Sequence, residues 1–420
     1  MLTEDLVLDV ERLTFGFDGL AHHDRQVVFV PYTAPGDRVR AEVVEHHGGY
    51  LRARVAAVLA PGPDRVLPGC RYFPTCGGCQ WQQVAPPAQR DAKRAIVAEQ
   101  LARVAGVRDT EVLPTLPSPA DWHYRARITL AVEGRRAGYR RARSHALVEI
   151  ADCPLADPAV SAHLAAARAW VAALRVPLRR LTVSAAPGGV VLAGAAAARP
   201  GPADVAASEA LLARVAGVRG AVIAGAGGRV VAGDPTVRVE IESGLDLEVP
   251  ADAFTQVNPA ANRRLVESVL ALGAFVPGER ALDLYCGAGN LSLPLARRGV
   301  SVLGIERSRV AVEAARANAA RLRLPAATFR AAEVSRALAT ERGPLDVVVL
   351  DPPRAGAADA VPALAALRPA RIVYVSCDPA TLARDVRALA GAGYRLETVQ
   401  PIDLFPQTYH VESVSKLRLT

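Results

Sequence analysis

The sequence contains few aromatic residues and no long apolar run. Aromatic residues make up 5% of the 420 residues, which argues against a sheet whose aromatic side chains stack many bases. No uninterrupted apolar stretch reaches the ~20 residues that a membrane-spanning helix needs. Residues 1–5 include two acidic side chains and lack the basic and then apolar pattern of a signal peptide. We therefore expect a cytosolic protein with no membrane partner.

The composition is that of a folded protein with a moderate excess of positive charge. Hydrophobic residues make up 51% of the chain, which excludes an intrinsically disordered protein. A chain of 420 residues suggests about three domains. The formal net charge of +8 fits a polyanionic partner such as nucleic acid, although a proteome with a general basic bias would give the same excess.

The pattern of apolar runs and turn residues predicts a multidomain protein with three parts. Short valine-rich runs separated by glycine and proline predict a small β-barrel in residues 1–62. Residues 63–250 mix helical spacing with glycine-interrupted hairpins, which indicates an α+β domain that also carries clustered cysteines. Residues 251–420 alternate short apolar strands with helices, which predicts a Rossmann-like α/β domain. Ligands of such domains bind at the carboxyl ends of the strands.

A glycine-containing loop follows the first predicted strand of the α/β domain. The segment 283–290 (DLYCGAGN) precedes a helix and contains Gly287 and Gly289. Glu306 closes the next strand, 17 residues after Gly289, where a carboxylate can accept hydrogen bonds from ribose hydroxyls. The dinucleotide fingerprint requires a third glycine where this chain has Ser292, so S-adenosylmethionine is favoured over NAD. A tight turn in a domain without a cofactor would show the same loop.

Three further candidate site residues of the same domain follow a strand-like run or lie near the start of one. Prolines stiffen the loop Asp351-Pro352-Pro353-Arg354 and hold its carboxylate near the cofactor site. Cys377 lies at a predicted helix N-terminus, where the helix dipole lowers the pKa of a thiol and favours a nucleophilic thiolate. Glu412 could abstract a proton. The alternatives are a rigid helix-capping loop for Asp351, an inert buried cysteine for Cys377 and a solvated strand residue for Glu412.

The six cysteines should be reduced in a cytosolic protein. Four of them form a set with metal-ligand character: Cys70, Cys76, Cys79 and Cys153. Four thiolates fit either a [4Fe–4S] cluster or a structural zinc ion. Two glycines between the second and third cysteines and a proline after the fourth favour the cluster, with zinc as the alternative. Cys286 has no second motif beside it and is interpreted as a small packing residue.

Together these motifs resemble the bacterial RNA uridine-C5 methyltransferases, and most closely the members that act on 23S ribosomal RNA. The resemblance covers nearly the whole chain. Residues 16–21 (GFDGLA) and 28–36 (VFVPYTAPG) are similar to a TRAM domain, an OB-like RNA-binding module. The resemblance implies that the four cysteines hold a [4Fe–4S] cluster with a structural role. It also implies an RNA partner, and we expect the protein to be a monomer.

The resemblance further implies roles for individual residues. Cys377 would add to C6 of uracil, and Glu412 would remove the proton from C5. Seven residues would contact S-adenosylmethionine: Gln256, Tyr285, Gly287, Asn290, Glu306, Glu333 and Asp351. At the position of Glu333 the family usually has asparagine or aspartate. The target base must leave its stack to reach such a pocket, so single-stranded RNA is the expected target. Arg135-Arg136 and Arg140-Arg141 could hold phosphates or form a solvated hairpin surface.

Three alternatives stay open on sequence alone. The substrate could be transfer RNA instead of ribosomal RNA, with the same chemistry. The enzyme could methylate an amino group of a nucleic acid through the Asp351 loop, which would need no thiol. The chain could also be a non-catalytic RNA-binding protein with a redox-sensing cluster, in which case S-adenosylmethionine would not bind.

Overall fold

The computed structural model describes residues 5–420, so part of the acidic N-terminal stretch, residues 1–4, lies outside the described residues. The first part is a six-stranded sheet with the order β1-β5-β6-β4-β3-β2. Its strands are β1 (Asp5–Asp9), β2 (Arg12–Leu13), β3 (Asp18–His23), β4 (Gln26–Pro31), β5 (Arg38–His47) and β6 (Tyr50–Ala60). Alternate residues such as Leu6, Leu8 and Val39 form a single core. Inward and outward side chains that alternate around one core are the arrangement of a small barrel.

A cysteine-containing loop and a helix connect the barrel to the rest of the chain. Helix α1 (Pro86–Gln100) starts with two prolines, whose fixed φ suits the first helical turn, and continues as a π-helical turn, Leu101–Ala105. The helix buries Gln89, Lys93, Ile96 and Val97, which lie on one face at helical spacing. It therefore packs one face, including two polar side chains, against the interior of the protein.

The second sheet has seven strands in the order β10-β9-β8-β11-β12-β13-β14. Its elements are β8 (Arg127–Glu133), β9 (Arg136–Arg140), β10 (Leu147–Val148), α2 (Pro158–Ala162), α3 (Leu164–Ala173), β11 (Leu178–Ala186), β12 (Gly189–Ala196), α4 (Pro202–Arg214), β13 (Val218–Gly225) and β14 (Gly228–Gly233). Helix α3 inserts Trp170 into the core of this sheet. Arg136 and Arg140 are ion-paired with Glu149 and Glu133 on the β8–β9 hairpin side of the sheet. For Arg136 and Arg140, these ion pairs favour a solvated hairpin surface over a role in phosphate binding.

The C-terminal part is built on an eight-stranded sheet with the order β19-β18-β17-β20-β21-β23-β22-β7. A separate hairpin, β15 (Thr236–Glu242) and β16 (Leu245–Pro250), precedes it. The elements of the sheet and its helices are β7 (Glu111–Val112), α5 (Pro259–Gly273), β17 (Arg280–Leu284), α6 (Ser292–Arg297), β18 (Ser301–Glu306), α7 (Arg309–Arg321), β19 (Ala327–Ala331), α8 (Val334–Thr340), β20 (Val347–Leu350), α9 (Val361–Leu367), β21 (Arg371–Ser376), α10 (Pro379–Gly391), β22 (Tyr394–Ile402) and β23 (Glu412–Leu419). Strands β17 to β21 are parallel, as predicted, and β23 runs antiparallel to β21 and β22.

Apolar cores cover both faces of this sheet. Along β20, Val347 and Val349 belong to one core, and Val348 and Leu350 belong to the other. All four side chains are fully buried, which explains why the strand is a continuous apolar run and does not alternate. Packing on both faces therefore holds the carboxyl ends of these strands in place.

Segments on both sides of residue 251 contribute to this part of the fold. The hairpin β15–β16 contacts α7, where Glu248 N donates to Asn318 Oδ1 at 2.9 Å and Asn318 Nδ2 donates to the carbonyl of Glu248 at 3.0 Å. Strand β7 adds two residues to the sheet beside β22. Within residues 5–420, no helix is both long enough and apolar enough to cross a membrane.

Candidate active site

The predicted cofactor loop lies between β17 and α6 at the carboxyl edge of the sheet. Gly287 and Gly289 have φ angles of +54° and +97°, which glycine adopts at low cost. A Cβ atom on Gly289 would lie 3.0 Å from Leu293 Cγ, whereas one on Gly287 would meet nothing within 4 Å. The space above Gly287 is therefore open to a ligand.

Side chains beside this loop are held by reciprocal polar contacts. Asn262 Nδ2 donates to Asn290 Oδ1 at 2.8 Å, and Asn290 Nδ2 donates to Asn262 Oδ1 at 3.0 Å. The hydroxyl of Tyr285, which has a φ of +63°, donates to Asp359 Oδ1 at 3.2 Å. Asn262 and Asp359 could not be identified from the sequence, because neither residue belongs to a local motif.

Acidic residues follow the neighbouring strands at the same edge. Glu306 ends β18, and its Oε1 accepts a hydrogen bond from Ser308 N at 2.7 Å. Glu333 follows β19 and is exposed at the start of α8. Asp283 on β17 is fully buried, its Oδ1 has no hydrogen-bond partner within the described chain, and burial raises its pKa to about 7. Glu306 and Glu333 thus lie at the ends of adjacent strands at this edge of the sheet.

Strand register places Cys377 and Glu412 opposite each other. In the antiparallel pair β21–β23, Ser376 faces Ser413, so the next residues across the pair are Cys377 and Glu412. Glu412 is only 4% exposed, which excludes a solvated strand residue at this position. Two candidates from distant parts of the sequence therefore meet because β23 returns antiparallel beside β21.

The sequence-based prediction of a lowered pKa for Cys377 is wrong for the free protein. Burial raises the pKa of this thiol to about 12, with Glu412 and Asp351 adding to the rise and Arg354 opposing it. The helix N-terminus that should favour a thiolate already has an anionic partner. Asp378 Oδ1 accepts hydrogen bonds from the backbone N–H groups of Ala380 and Thr381, both at 3.0 Å. The helix dipole is therefore largely compensated by this cap.

Carboxyl groups and one guanidinium group surround the thiol. Burial also raises the pKa of Asp351 to about 7 and that of Glu412 well above its ordinary value, while the charge of Arg354 opposes the rise at Glu412. Arg354 Nη2 lies 3.2 Å from His410 Nε2. Burial and the charge of Arg354 lower the pKa of His410 to about 3, so this ring is neutral and accepts the hydrogen bond. No motif in the sequence predicts a site role for His410.

Gln256 lies in the segment between β16 and α5. The next helix is capped by Asn258, whose side chain accepts from Ala261 N and donates to the carbonyl of Leu404 at 3.0 Å. Gln256 itself is partly buried. The cap thus joins the Gln256 segment to the chain that leads to Glu412.

Buried polar contacts fix the segment 403–410 before Glu412. Lys93 Nζ donates to Asp403 Oδ1 at 2.5 Å, and both side chains are at most 1% exposed. Gln89 Nε2 donates to Gln407 Oε1 at 3.1 Å, while the backbone N–H of Gln407 donates to Gln89 Oε1 at 2.8 Å. The backbone N–H of Gln80, next to Cys79, donates to the carbonyl of Gln407 at 3.0 Å. The position of Glu412 therefore depends on α1 and on the cysteine loop.

The structure brings the four candidate ligand cysteines to one cavity. Cys70, Cys76, Cys79 and Cys153 line this cavity together with Arg125 and Tyr139, and its free volume of about 390 Å³ includes space open to solvent. Burial raises the pKa of Cys76 to about 11 and that of Cys79 to about 12. Within residues 5–420, no three or more His, Cys, Asp or Glu side chains are arranged to hold a metal ion. Cys286, by contrast, is 5% exposed and packs in the core, as predicted.

Known families match both ends of the chain. The family model described as TRAM domain matches residues 6–56. The family model described as tRNA (Uracil-5-)-methyltransferase matches residues 241–418, which include the cofactor loop, Cys377 and Glu412. The two matches agree with the barrel and with the α/β sheet described above.

Relatives cover almost the whole chain. A protein of Alkalilimnicola ehrlichii named 23S rRNA (uracil(1939)-C(5))-methyltransferase RlmD is 38% identical, across 94% of this chain and 93% of its own. A protein of Thiobacillus denitrificans with the same name is 39% identical, across 97% and 98%. The crystal structure of Pyrococcus abyssi tRNA (uracil-54, C5)-methyltransferase in complex with S-adenosyl-L-homocysteine superposes with a TM-score of 0.74 and 26% identity, across 98% of this chain and 100% of that chain.

These matches agree with the geometry of the sheet edge. A cofactor-type loop, a cysteine and a buried glutamate lie together on a methyltransferase fold that carries an N-terminal TRAM domain. The chain belongs to the S-adenosylmethionine-dependent RNA uracil-C5 methyltransferases.

Proposed function

We propose that this enzyme methylates C5 of a uridine in 23S ribosomal RNA, with Cys377 as nucleophile and Glu412 as general base. The observation that carries these two roles is the register of β21 and β23, which places the thiol opposite a buried carboxyl group. The ribosomal substrate is supported by the names of relatives that cover more than nine-tenths of the chain. Transfer RNA is the second candidate, because the similar archaeal structure is that of a tRNA methyltransferase.

Cys377 starts the reaction by addition to the pyrimidine ring. Its thiolate forms a bond to C6, and the electrons of the C5–C6 double bond move towards C5 and the O4 carbonyl, which makes C5 nucleophilic. The positive charge of Arg354 opposes the rise in the pKa of Cys377 and therefore favours the thiolate. When bound, S-adenosylmethionine supplies an electrophilic methyl group to C5.

Glu412 completes the reaction by removing the remaining proton from C5. The electron pair of the C5–H bond re-forms the C5–C6 double bond, and the bond between C6 and the sulfur of Cys377 breaks. Burial raises the pKa of Glu412, which makes its carboxylate a stronger base than an exposed glutamate. Addition and elimination thus replace one difficult substitution with easier steps.

The residues of the sheet edge fit S-adenosylmethionine. The open space at Gly287 can admit a ligand, and the Glu306 carboxylate uses one oxygen on Ser308, which leaves the other for ribose hydroxyls. We assign the same cofactor contact to Gln256, Tyr285, Asn290, Glu333 and Asp351. Asp351 lies near the nucleophile, since its charge affects the pKa of Cys377, and is suited to orient the base beside the cofactor.

We further propose a structural [4Fe–4S] cluster in the cysteine cavity. The cysteine side chains of the described residues are not arranged around a metal ion, so the proposal rests on the four cysteines lining one cavity and on the guanidinium group of Arg125 beside them, which offsets part of the negative charge of four thiolates. The buried hydroxyl of Tyr139 has no partner within the described chain and is available to a cluster sulfur. Anaerobic reconstitution should give about four iron atoms per chain, and a Cys153→Ser variant should retain fewer. One zinc ion per chain would contradict this assignment.

The proposed cellular setting follows from the substrate. We propose that the enzyme works as a monomer in the cytoplasm, where ribosomal RNA is found. Its RNA partner must present the target uridine out of its stack, because Cys377 lies at a partly buried sheet edge.

The direct test is methylation of defined RNAs. Purified enzyme with isotope-labelled S-adenosylmethionine should place label at C5 of uridine in a 23S rRNA transcript, read by nucleoside mass spectrometry. Cys377→Ala should abolish transfer while calorimetry shows unchanged S-adenosylmethionine binding. Preferential labelling of tRNA would select the second candidate. Label on an exocyclic amino group, or full activity without the thiol, would overturn the mechanism.

A further inference from the structure

The connection between β22 and β23 ends at Glu412. The two strands are paired as far as Ile402 and Glu412, so residues 403–411 form a loop that is closed by the proposed general base. We propose that Gln89 and Gln407 are positioning residues, which hold this loop so that Glu412 can remove the C5 proton. The proposal rests on the general-base role proposed above and adds two residues that do not themselves touch the substrate.

Much of this loop is buried, which is unusual for a connection between strands. Residues 403, 404 and 406–408 are buried, and buried carbonyl groups need hydrogen-bond partners. Four consecutive carbonyls, those of residues 404–407, find partners in distant parts of the chain. The donors are Asn258 Nδ2 to Leu404 at 3.0 Å, Lys93 Nζ to Phe405 at 3.1 Å, the Tyr124 hydroxyl to Pro406 at 2.9 Å, and the backbone N–H groups of Gln80 and Trp81 to Gln407 at 3.0 and 3.1 Å. The neighbours of the loop therefore set its path.

Gln407 has a backbone conformation that suits glycine. Its φ is +68°, in the left-handed region that side chains disfavour, and the residue is 2% exposed. A residue stays in such a conformation only when several contacts hold it there. The N–H of Gln407 donates to Gln89 Oε1 at 2.8 Å, and its side-chain Oε1 accepts from Gln89 Nε2 at 3.1 Å. Gln89 thus holds both the backbone and the side chain of the strained residue.

Gln89 joins three segments through one amide group. Besides its contacts with Gln407, its Nε2 donates to the carbonyl of Trp81 at 3.1 Å and to that of Val84 at 2.8 Å. Two amide hydrogens therefore serve three acceptors. Gln89 is fully buried, so water does not replace a hydrogen bond that is lost there. Removing this amide group would take away the partner of the Gln407 N–H and release the loop from helix α1.

Cys377 is held by a different set of contacts. It lies between β21 and α10, where Asp378 caps the helix and Ser376 Oγ donates to the carbonyl of Asp378 at 3.0 Å. Loss of the Gln89 contacts should therefore displace Glu412 while the nucleophile keeps its position. In the proposed reaction this would slow removal of the C5 proton and the elimination that follows it. Formation of the bond between sulfur and C6 would continue.

Kinetics of matched variants test this difference between the two steps. The substrate is a 23S rRNA fragment, prepared with either protium or deuterium at C5 of uridine, together with S-adenosylmethionine. Gln89→Met keeps the side-chain volume and removes its hydrogen bonds, whereas Gln407→Gly keeps the left-handed φ and removes the side chain. Each variant should lower kcat roughly 10–100-fold. Each should also increase the fraction of RNA bonded to protein on denaturing gels and enlarge the deuterium isotope effect on kcat.

Gln83→Met is the matched control. Gln83 is also a buried glutamine, 1% exposed, but its Nε2 donates to the carbonyl of Thr33 in the barrel, at 3.0 Å. This variant should lower the thermal melting temperature, as Gln89→Met does, and keep the wild-type adduct fraction and isotope effect. Binding of S-adenosylmethionine in calorimetry should be unchanged in all three variants.

The outcomes separate the positioning role from the proposed function. A lower kcat with the wild-type adduct fraction and isotope effect would indicate lost stability alone and overturn the positioning role. Unchanged kcat in both variants, or an equal rise of adduct in Gln83→Met, would also overturn it. Glu412→Gln is run in parallel. If it forms no adduct, the general-base assignment fails; if it forms the adduct while Gln89→Met and Gln407→Gly do not, only the positioning role fails.

Discussion

Replacing Asp351 by asparagine is expected to stabilise the free enzyme at alkaline pH while it removes methyl transfer. Asp351 directly follows the buried strand β20, and burial raises its pKa from 3.8 to about 7. A carboxyl group whose pKa is raised by folding contributes stability below its unfolded pKa, and this contribution is lost as pH rises through the folded value. Ionised Asp351 should therefore weaken the fold increasingly between pH 4 and pH 8.

The size of the effect follows from this shift. A rise of about 3 pKa units corresponds to about 4 kcal/mol, at roughly 1.4 kcal/mol per unit. Between pH 5 and pH 8, only the interval from pH 5 to the folded pKa of about 7 changes the stability. This interval of about two pH units corresponds to about 3 kcal/mol. Because Asp351 is partly exposed, solvent screens its charge, and we halve the expectation to about 1.5 kcal/mol.

Urea denaturation at pH 5 and pH 8 measures this difference. The free energy of unfolding of Asp351→Asn minus that of the wild type should rise by about 1.5 kcal/mol from the lower to the higher pH. Asp9→Asn, at a side chain that is 80% exposed, should show no such change and serves as the control. A difference that is the same at both pH values, or that becomes smaller at pH 8, would refute the reasoning.

Three further predictions concern groups around the same edge of the sheet. Lys93→Met should cost about 3–5 kcal/mol in urea denaturation because it leaves buried Asp403 unpaired, and Lys93→Met/Asp403→Leu should recover most of that loss; equal loss in both would argue against a charge effect. Gly287→Val should lower S-adenosylmethionine affinity at least tenfold in calorimetry, since its side chain would enter the open space at a φ of +54°. His410, with a pKa lowered to about 3 from 6.5, should make stability fall by up to about 1.4 kcal/mol per unit as pH drops below 6.5, and His410→Gln should remove that slope.

The sheet and the candidates at its edge could be predicted because their signals are local. Apolar runs such as 347–350 and the glycines at 287 and 289 indicate strand ends and a loop without reference to the rest of the chain. Strand β7 could not be predicted, because its two residues, Glu111 and Val112, gain their strand structure only from pairing with β22. A strand of two residues is too short to show the alternation of apolar and polar side chains that identifies a strand in a sequence.

The pKa values and polar contacts of the site could not be predicted from the sequence, because they depend on tertiary structure. The helix N-terminus at Cys377 suggested a lowered thiol pKa, but the Asp378 cap and the burial of Cys377 produce the opposite shift. Asn262, which pairs with the loop residue Asn290, lies 28 residues away from it in sequence, on helix α5. The burial of Cys377 and the pairing of Asn262 with Asn290 arise from packing between elements, and no spacing rule in the sequence contains them.

The most direct test of the mechanism uses a Glu412→Gln variant with S-adenosylmethionine and a 23S rRNA fragment. Without the carboxylate, methylated uridine should stay bonded through C6 to the sulfur at position 377, and tandem mass spectrometry of a nuclease- and protease-digested sample should find this adduct on the Cys377 peptide. Free 5-methyluridine formed at the wild-type rate, or an adduct on a different residue, would contradict the account.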